Sequence, residues 1–506
     1  MSESWVERVA KARVYDVASQ TALDALPRLS ARTGNEVLLK REDMQPVFSF
    51  KLRGACNKIA NLPEDVARHG VICASAGNHA QGVALAARRR GIPAVIVMPV
   101  TTPQIKVDAV KNLGAEVVLY GDVYDAASEH AVQIAAQRRM VSVHPFDDPD
   151  VIAGQGTIGM EILRQAHGEV DAIFVPVGGG GLIAGVAAYV KAVCPRTRVI
   201  GVEPEDAAAM HDSLRAGHRV TLDHVGIFAD GVAVRRVGEQ TFALAQRFVD
   251  EVLLVDTDQI CAAIQDIFED TRMVPEPSGA LAIAGLKNYV ARESCKGQRL
   301  VAINSGANLN FDRLRYVAER ADVGAGREAL FAVEIPEQRG SFLSFCRTLG
   351  LRNITEFNYR EQGRERANVF VGVNLGGQGA AERERIAEQL RHAGYRVLDL
   401  TDNELAKTHV RHMVGGRSPG LDDELLFRFE FPERPGALLR FLEAVGTRWN
   451  ISLFHYRNHG SDCGRVLVGI QVSPDERGEL QRHLIDLNYP YFDESTNPAY
   501  RMFLGG

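Results

Sequence analysis

One stretch indicates the fold of this chain most directly: Val175-Pro176-Val177-Gly178-Gly179-Gly180-Gly181-Leu182-Ile183-Ala184-Gly185. The β-branched residues before the glycines are typical of a buried strand, and the apolar run after them is typical of a helix. Glycines let backbone N–H groups converge on an anion, and a helix N-terminus favours negative charge. Because four glycines between two buried elements cost conformational entropy, we interpret them as a phosphate-binding loop rather than as a flexible turn.

Short β-branched runs alternate with alanine-rich helical stretches on both sides of this loop, from about residue 35 to residue 310. Continuous apolar strands that are separated by helices indicate parallel sheets covered on both faces, which is an α/β layered architecture. The runs are Val71-Ile72-Cys73, Ala94-Val95-Ile96-Val97-Met98, Val117-Val118-Leu119, Ile173-Phe174-Val175, Val199-Ile200-Gly201-Val202, Val252-Leu253-Leu254-Val255 and Leu300-Val301-Ala302-Ile303.

The glycine loop also fits a second interpretation. Gly179-x-Gly181-x-x-Ala184 matches the dinucleotide fingerprint, and Glu203 ends the next strand at about the spacing of a ribose ligand. The fingerprint usually occupies the first strand–helix unit, whereas several units precede it here. An NAD-dependent oxidoreductase therefore stays open as an alternative.

The C-terminal third repeats itself. Residues 331–340, 354–360 and 369–373 match residues 427–436, 451–457 and 466–470, and a polar stretch of small residues around 318–326 precedes the first copy. Each copy is predicted to run strand, Pro-Gly or Arg-Gly turn, helix, strand, strand, helix, strand. This is the βαββαβ ferredoxin-like pattern, so the sequence predicts two tandem copies of one small module.

Composition excludes several classes of protein. Of its 506 residues, 46% are hydrophobic and 24% are charged, which is typical of a globular protein. The net charge of -6 gives no indication of a basic surface for nucleic acid. Its 7 cysteines are scattered, which indicates a reduced, cytoplasmic chain without a structural metal. The first residues do not form a signal peptide, and Pro176 and the glycines interrupt the uncharged stretch 172–190, so no membrane span is expected.

A candidate nucleophile lies in Val47-Phe48-Ser49-Phe50-Lys51-Leu52-Arg53-Gly54-Ala55. Lys51 follows two aromatic residues and precedes an apolar helical stretch. Apolar surroundings disfavour the ammonium form, so the amine becomes available to form a Schiff base with a carbonyl such as that of pyridoxal phosphate. The local sequence alone is a weak indication, because most such lysines are solvated helix residues.

Two further polar stretches follow predicted strands. Ser75-Ala76-Gly77-Asn78-His79 opens a helix and offers a hydroxyl, an amide and free N–H groups to a carboxylate. Taken by itself, this stretch is better explained as an ordinary helix cap with a structural His79. Asn304-Ser305-Gly306-Ala307-Asn308 ends the last strand, where ligands of parallel sheets bind. Together with Lys51 and the glycine loop, these features can lie along one edge of one sheet.

These stretches together resemble the fold-type II pyridoxal-phosphate enzymes of the serine/threonine dehydratase family, and most of all its biosynthetic threonine ammonia-lyases. The resemblance covers nearly the whole chain, and it is carried by Leu39-Lys40-Arg41-Glu42-Asp43, Ser49-Phe50-Lys51-Leu52-Arg53-Gly54-Ala55, Ser75-Ala76-Gly77-Asn78-His79-Ala80-Gln81-Gly82, His144-Pro145-Phe146-Asp147-Asp148, the glycine loop, Glu276-Pro277-Ser278-Gly279-Ala280 and Ser305-Gly306-Ala307-Asn308. The paired C-terminal modules resemble the ACT-like regulatory domain of the long form of these enzymes.

The resemblance implies a pyridoxal 5'-phosphate cofactor and a role for each site residue. Lys51 would hold the cofactor and act as the acid/base at the substrate α-carbon, and residues 178–182 would bind its phosphate. Asn78 would hydrogen-bond the ring hydroxyl, and Ser305 would contact the pyridine nitrogen. The substrate carboxylate would be lined by Ser75, Gly77 and His79.

It also implies a domain organisation. The PLP-dependent catalytic domain would cover residues 1–320, with a smaller inner subdomain at about 44–146. A linker at 321–326 would join it to ACT-like module 1 at 327–415 and module 2 at 416–506.

The activity that the resemblance implies is the β-elimination and deamination of L-threonine to 2-oxobutanoate and ammonia in a cytoplasmic homotetramer. Isoleucine would inhibit the enzyme and valine would activate it. An L-serine-preferring dehydratase and a catalytically inactive amino-acid sensor stay open as alternatives, although the intact Lys51, glycine loop and Ser305 argue against the sensor.

Two positions depart from relatives in the wider group. The racemases carry a serine where this chain has Ala76, so racemase activity is not expected. Some relatives bind a divalent cation near Glu203, but a second carboxylate is replaced by Ala209, so we expect no metal.

Overall fold

The computed structural model describes residues 4–504 apart from 103, 122–123, 312, 361–364, 409, 414–417, 419–420, 422, 433–436, 446–447, 458–462, 488, 498–499 and 501–503. The chain forms two compact units, Met1–Ala321 and Asp322–Gly506. In the described residues, no helix combines the length and the apolar character that crossing a membrane requires.

The described residues of the first unit form ten strands in two sheets. They are β1 Leu23–Ala25, β2 Glu36–Arg41, β3 Val71–Ala74, β4 Ala94–Met98, β5 Glu116–Leu119, β6 Val141–Ser142, β7 Ala172–Pro176, β8 Arg198–Pro204, β9 Glu251–Val255 and β10 Arg299–Asn304. A six-stranded sheet has the order β1-β2-β10-β7-β8-β9, and a four-stranded sheet has the order β5-β4-β3-β6. All neighbours are parallel except β1 and β2.

Fourteen helices lie before, between and after these strands in the part of the chain that the structure describes. They are α1 Trp5–Ala10, α2 Pro27–Thr33, α3 Lys51–Ala60, α4 Glu64–Ala67, α5 Asn78–Arg90, α6 Gln104–Asn112, α7 Tyr124–Arg138, α8 Pro149–Gln165, α9 Gly181–Val193, α10 Ala209–Ala216, α11 Glu239–Phe248, α12 Thr257–Thr271, α13 Pro277–Glu293 and α14 Arg313–Gly324. Short 3₁₀ turns lie at Glu42–Met44, Glu205–Ala207 and Asp230–Val232.

Both sheets are covered on both faces, as continuous apolar strands predict. In β7, Phe174 packs with α2, α12 and α13, whereas the neighbouring Ile173 and Val175 pack with α8 and α9 on the other face. The four-stranded sheet lies between α3, α5 and α6 on one face and α7 on the other. The alternation follows from the strand period of two, which points successive side chains to opposite faces.

The expectation that the candidate site residues share one edge of one sheet is wrong. Ser75 follows β3 of the four-stranded sheet, whereas the glycine loop follows β7 and Ser305 follows β10 of the six-stranded sheet. Strand runs alone do not show which strands pair, because every run in this region is apolar throughout. The predicted α/β architecture with two layered sheets is confirmed.

Where the structure describes the second unit, it has eight strands and five helices. The strands are β11 Glu328–Pro336, β12 Ile354–Arg360, β13 Arg366–Asn374, β14 Arg396–Asp399, β15 Glu424–Pro432, β16 Asn450–Arg457, β17 Cys463–Gln471 and β18 Tyr491–Asp493. The helices are α15 Ser341–Leu349, α16 Gly379–His392, α17 Glu404–Thr408, α18 Ala437–Val445 and α19 Arg477–Leu487, with 3₁₀ turns at Val410–His412 and Pro474–Glu476.

The two predicted βαββαβ modules are confirmed, and they join edge to edge. β12 of the first module pairs antiparallel with β16 of the second, which gives one eight-stranded sheet in the order β14-β11-β13-β12-β16-β17-β15-β18. One core packs α15, α16, α18 and α19 against this sheet. The second module's predicted Pro-Gly turn, at residues 435–436, lies outside the described residues.

The predicted linker differs from a free connection. Residues 321–324 are the last turn of α14, and Val317 and Ala321 of this helix belong to the core of the first unit. The amphipathic spacing of these residues continues into the polar stretch, so the helix extends further than composition suggests. The domain boundaries of the sequence analysis stay predictions.

Candidate active site

Lys51 is the first residue of α3, and the segment before it is tied to the end of β10. The Phe50 N–H donates to the Ser305 carbonyl at 3.1 Å, and the Ala307 N–H donates to the Phe48 carbonyl at 2.9 Å. Ser49 and Gly306 form an isolated antiparallel bridge between these contacts. The fold therefore places Lys51 and Ser305 on two hydrogen-bonded segments, although they are far apart in sequence.

The amine of Lys51 lies in the partly apolar environment that the sequence predicts. Its Nζ donates to the Pro145 carbonyl at 3.2 Å and lies 5.3 Å from the centre of the Phe50 ring. Burial lowers the pKa of Lys51 to about 8, and the carboxylate of Glu276 opposes that shift. A much larger fraction of the Lys51 amine is therefore neutral near pH 7 than in a solvated lysine.

The glycine loop between β7 and α9 has no room for side chains. A Cβ on Gly179 would lie 2.2 Å from the Phe146 ring, and one on Gly178 would lie 2.9 Å from the Val232 backbone. Gly180 adopts the left-handed region, with φ of 95°, and its Cβ would meet Met210 and Thr241. The glycines are therefore required by close packing and by backbone conformation.

This loop presents unpaired donors to an anion. In the described part of the chain, the N–H groups of residues 178–183 make no hydrogen bond to a protein acceptor, and the first one that does is Ala184, to the Gly180 carbonyl at 2.9 Å. The Gly179 carbonyl points away from them, because it accepts from the Thr241 hydroxyl at 2.7 Å. Free N–H groups at a helix start fit a phosphate, so the residues present fit pyridoxal phosphate.

A second helix start, that of α5, offers donors for a carboxylate. Ser75, Gly77 and Asn78 are partly exposed, and a Cβ on Gly77 would meet nothing within 4 Å, so open space adjoins this loop. The Ser75 hydroxyl accepts from the Gly77 N–H at 3.3 Å. The structure thus leaves Ser75, Gly77 and the backbone of α5 able to contact a ligand.

The side chain of His79 has a structural partner. It is 3% exposed and its Nε2 donates to the Val143 carbonyl at 2.8 Å. Burial, together with Lys51, lowers the pKa of His79 to about 3, so the ring is neutral. Any contribution of His79 to a carboxylate site therefore comes from its backbone N–H.

Asn78 belongs to a chain of polar side chains that sequence reasoning did not assign. Its Nδ2 donates to Glu276 Oε1 at 2.7 Å, and its Oδ1 accepts from Asn308 Nδ2 at 2.6 Å. Glu276 also accepts from the Ser278 hydroxyl at 2.9 Å. Glu276 and Asn308 lie in stretches that carried the family resemblance, and that was the only sequence signal for them.

Ser305 is 3% exposed and follows the last residue of β10. Its neighbour Asn304 donates to Asp43 at 2.8 Å, which fixes the end of this strand. The position fits a hydroxyl that contacts a bound ring. The structure does not test that contact, so it stays a prediction.

The carboxylate of Glu203 caps the start of helix α10. Its two carboxylate oxygens accept from the Met210 and His211 N–H groups, each at 2.8 Å, at the start of α10. Burial raises the pKa of Glu203 to about 8. Glu203 is also 0% exposed, so its carboxylate does not reach a nucleotide ribose as the dinucleotide interpretation requires. Among the described residues, no group of three or more His, Cys, Asp or Glu side chains is arranged to hold a metal ion.

The family models agree with both units. Residues 14–306 match the pyridoxal-phosphate dependent enzyme family, and residues 319–410 and 415–504 each match the C-terminal regulatory domain of threonine dehydratase. Together with the lysine, the glycine loop and the paired sheets, this defines a fold-type II PLP-dependent enzyme with a tandem regulatory domain. The dinucleotide interpretation of the loop is not retained.

Curated relatives that match nearly the whole chain are named threonine dehydratases. The chain is 59% identical to L-threonine dehydratase biosynthetic IlvA of Burkholderia multivorans, over 99% of this chain and 99% of the relative. It is 53% identical to the protein of the same name from Escherichia coli, over 99% of this chain and 97% of the relative. The processed form of threonine deaminase isoform 2 from Solanum lycopersicum aligns with a TM-score of 0.62 and 52% identity, covering 63% of this chain and 92% of that chain. The chain belongs to the biosynthetic threonine dehydratase family.

Proposed function

We propose that this protein deaminates L-threonine to 2-oxobutanoate and ammonia with pyridoxal phosphate, at the site formed by Lys51, the glycine loop and the start of α5. The observation that carries the proposal is the environment of Lys51, where burial lowers the pKa of the amine to about 8. The names of the relatives support the choice of threonine as the substrate.

The residues divide the binding of cofactor and substrate between two helix starts. The amine of Lys51 would hold the cofactor aldehyde, and the N–H groups of residues 178–182 would hold its phosphate. The N–H groups at the start of α5, with Ser75, hold the substrate carboxylate. When bound, pyridoxal phosphate supplies an electron sink that stabilises negative charge at the substrate α-carbon.

Lys51 would then act as the acid/base for the proton on the substrate α-carbon. When the substrate amine has taken its place on the aldehyde, the freed neutral amine of Lys51 would take the proton from the substrate α-carbon. The ammonium so formed would give this proton to the leaving β-hydroxyl, which would depart as water. Hydrolysis of the released enamine gives 2-oxobutanoate and ammonia. Ser305 suits this elimination, because a hydroxyl cannot enforce a protonated pyridine nitrogen as an aspartate would.

An L-serine-preferring dehydratase is the second candidate, since the same chemistry acts on both hydroxy amino acids. One extra methyl group in a pocket changes specificity by only about 10–200-fold. Steady-state rates on threonine and serine, with and without isoleucine, test the proposal. A kcat/KM that is higher for serine than for threonine would overturn the choice of substrate.

Regulation by isoleucine as inhibitor and valine as activator is the finer part of the proposal. A concave surface of the second unit supports it: it lies between the turn after β11, at residues 336–341, and residues 449–451 at the start of β16. Apolar Ile335 and Ile451 line it together with the carboxylate of Glu337. The cavity is about 10 Å³ as it stands, so it must widen to admit an amino acid, whose aliphatic side chain its apolar residues would then contact. The homotetramer and the cytoplasmic location rest on the family resemblance.

A further inference from the structure

The orientation of the Asn78 amide is fixed by a chain of hydrogen bonds that begins at a backbone carbonyl. The Val47 carbonyl can only accept, and Asn308 Nδ2 lies 2.9 Å from it, so Asn308 presents its NH₂ group there. The same NH₂ group lies 2.6 Å from Asn78, which must therefore present its oxygen to Asn308. The Asn78 NH₂ group is then directed to Glu276 Oε1, at 2.7 Å.

Glu276 completes this chain from inside the protein. It is 4% exposed, and the same Oε1 accepts from Ser278 at 2.9 Å. Its backbone N–H donates to the Gly306 carbonyl at 3.1 Å, which ties it to the segment after β10. A buried carboxylate is costly unless it accepts hydrogen bonds, so a reason for its presence is required.

An amide NH₂ group has two hydrogens, and Glu276 takes one of them. Asn78 is partly exposed at the start of α5, so the second hydrogen is available to a ligand beside Lys51. A donor at this place suits an anionic or phenolic ring oxygen. If the amide turned over, its oxygen would face that oxygen instead, and two acceptors would repel each other.

We propose that Glu276 is a positioning residue that holds the Asn78 amide with its NH₂ group towards the ring oxygen of the bound cofactor. The inference rests on the proposed function, which places the cofactor ring beside Asn78. It assigns Glu276 a role that is exerted through its hydrogen bond to Asn78.

The ionisation of Glu276 gives the inference a second observable. Burial raises the pKa of Glu276 to about 7, with Asp230 raising it further and Lys106, Ser278 and Asn78 lowering it. Lys51 is the other charged group that interacts with this carboxylate. As the pH falls through about 7, the carboxylate gains a proton and its charge-assisted bond to Asn78 weakens. Cofactor binding should weaken over the same range.

The experiment compares full-length wild type with Glu276→Leu, Glu276→Gln, Asn78→Ala and the double variant Asn78→Ala/Glu276→Leu. The readouts are the dissociation constant for pyridoxal phosphate, the visible absorption spectrum from pH 5.5 to 9, and kcat and KM for threonine. Glu276→Leu should weaken cofactor binding by about 10–100-fold and shift the visible spectrum. Glu276→Gln, which keeps an acceptor, should bind within about 3-fold of wild type at pH 8 and lose the pH dependence near 7.

The double variant separates positioning from a general structural role. If Glu276 acts through Asn78, the two single losses should not add, and the double variant should bind about as weakly as the weaker single variant. Additive losses, or a wild-type spectrum and affinity in Glu276→Leu, would overturn the inference. If Glu276→Leu does not fold, Glu276→Gln decides alone, because it should fold and lose the pH dependence near 7.

The failure of this inference is distinguishable from failure of the proposed function. Wild type that binds pyridoxal phosphate through Lys51 but does not deaminate threonine contradicts the proposed reaction and leaves the Asn78–Glu276 comparison intact. Wild type that deaminates threonine while all Glu276 variants keep its spectrum contradicts the inference alone.

Discussion

Arg53 and Glu42 form an ion pair with Nη2 2.7 Å from Oε1, and both side chains are fully buried. Arg53 also donates to Glu161 at 2.6 Å, and Lys40 Nζ lies 2.6 Å from the other oxygen of Glu161. Two cations and two carboxylates are therefore paired inside the first unit. Because Arg53 lies two residues after Lys51 on α3, this network fixes the helix that carries the reactive amine.

Replacing Arg53 by methionine should destabilise the protein strongly. The substitution leaves the Glu42 carboxylate without its main cation, and breaking a buried pair in this way costs about 3–5 kcal/mol. Urea unfolding measures the loss. The matched control is Arg138→Met, whose pairing with Glu116 is half exposed and should cost less than about 1 kcal/mol. Equal losses in the two variants would contradict a structural role for the network.

Lys51→Ala should abolish threonine deamination and covalent attachment of pyridoxal phosphate. Borohydride treatment of the wild type should label the peptide that contains Lys51. Lys58→Ala is the matched control on the same helix, because Lys58 pairs with Asp148 at 2.7 Å and belongs to no binding loop. It should keep the attachment, and a label on any other lysine would contradict the assignment of Lys51.

The reaction of the cofactor-free protein with pyridoxal phosphate should depend on pH through the Lys51 amine. Only the neutral amine attacks the aldehyde, so the rate should rise as the pH increases and the ammonium loses its proton. The midpoint should lie near 8, because burial lowers the pKa of Lys51 to about 8. Stopped-flow absorbance measures the rate, and a midpoint near 10 would show a solvated amine.

Much of this site could be predicted from the sequence, because several of its parts are formed by residues that are neighbours in the chain. The glycine loop follows a strand and begins α9 within a few residues, and Ser75 and Asn78 lie where β3 ends and α5 begins. Such features need only strand and helix periodicity and the chemistry of free N–H groups. The two modules of the C-terminal third could also be predicted, because each copy of the repeat shows its own strand and helix periodicity.

The parts that sequence reasoning missed depend on contacts between distant segments. Glu276 meets Asn78 across 198 positions, and Arg53 meets Glu161 across 108. Neither pair has a periodic signal, since each residue alone looks like an ordinary charged or polar side chain. The edge-to-edge pairing of β12 and β16 was missed because edge strands carry no mark of their partner.

Gly180→Asp should weaken cofactor binding for two reasons, which Gly180→Ala separates. Gly180 has a φ of 95°, and any Cβ there would lie 2.7 Å from Met210 and 2.8 Å from Thr241, so both variants carry strain at this Cβ. Only the aspartate adds a negative charge beside the predicted phosphate. Its binding of pyridoxal phosphate should be weaker than that of the alanine variant by about 2–3 kcal/mol, measured by titration. Equal affinities in the two variants would place the phosphate elsewhere.

A chain that stops after Gly324 should keep the catalytic activity and lose the response to effectors. The first unit ends at Ala321, and Val317 and Ala321 of α14 belong to its core, so a stop after residue 320 would remove part of that core. Retaining the whole of α14 avoids this loss.

The truncated and full-length proteins should be assayed side by side across threonine concentration. Full-length protein should be inhibited by isoleucine, with about 1–3 kcal/mol of coupling between effector and substrate sites. The truncated chain should show the same rates with and without isoleucine, because the eight-stranded sheet and its concave surface are absent. A stop after residue 320 serves as the comparison for folding, since it should lower the thermal midpoint of unfolding. Isoleucine inhibition that survives in the chain ending at Gly324 would place the effector site in the first unit and overturn the regulatory role of residues 327–506.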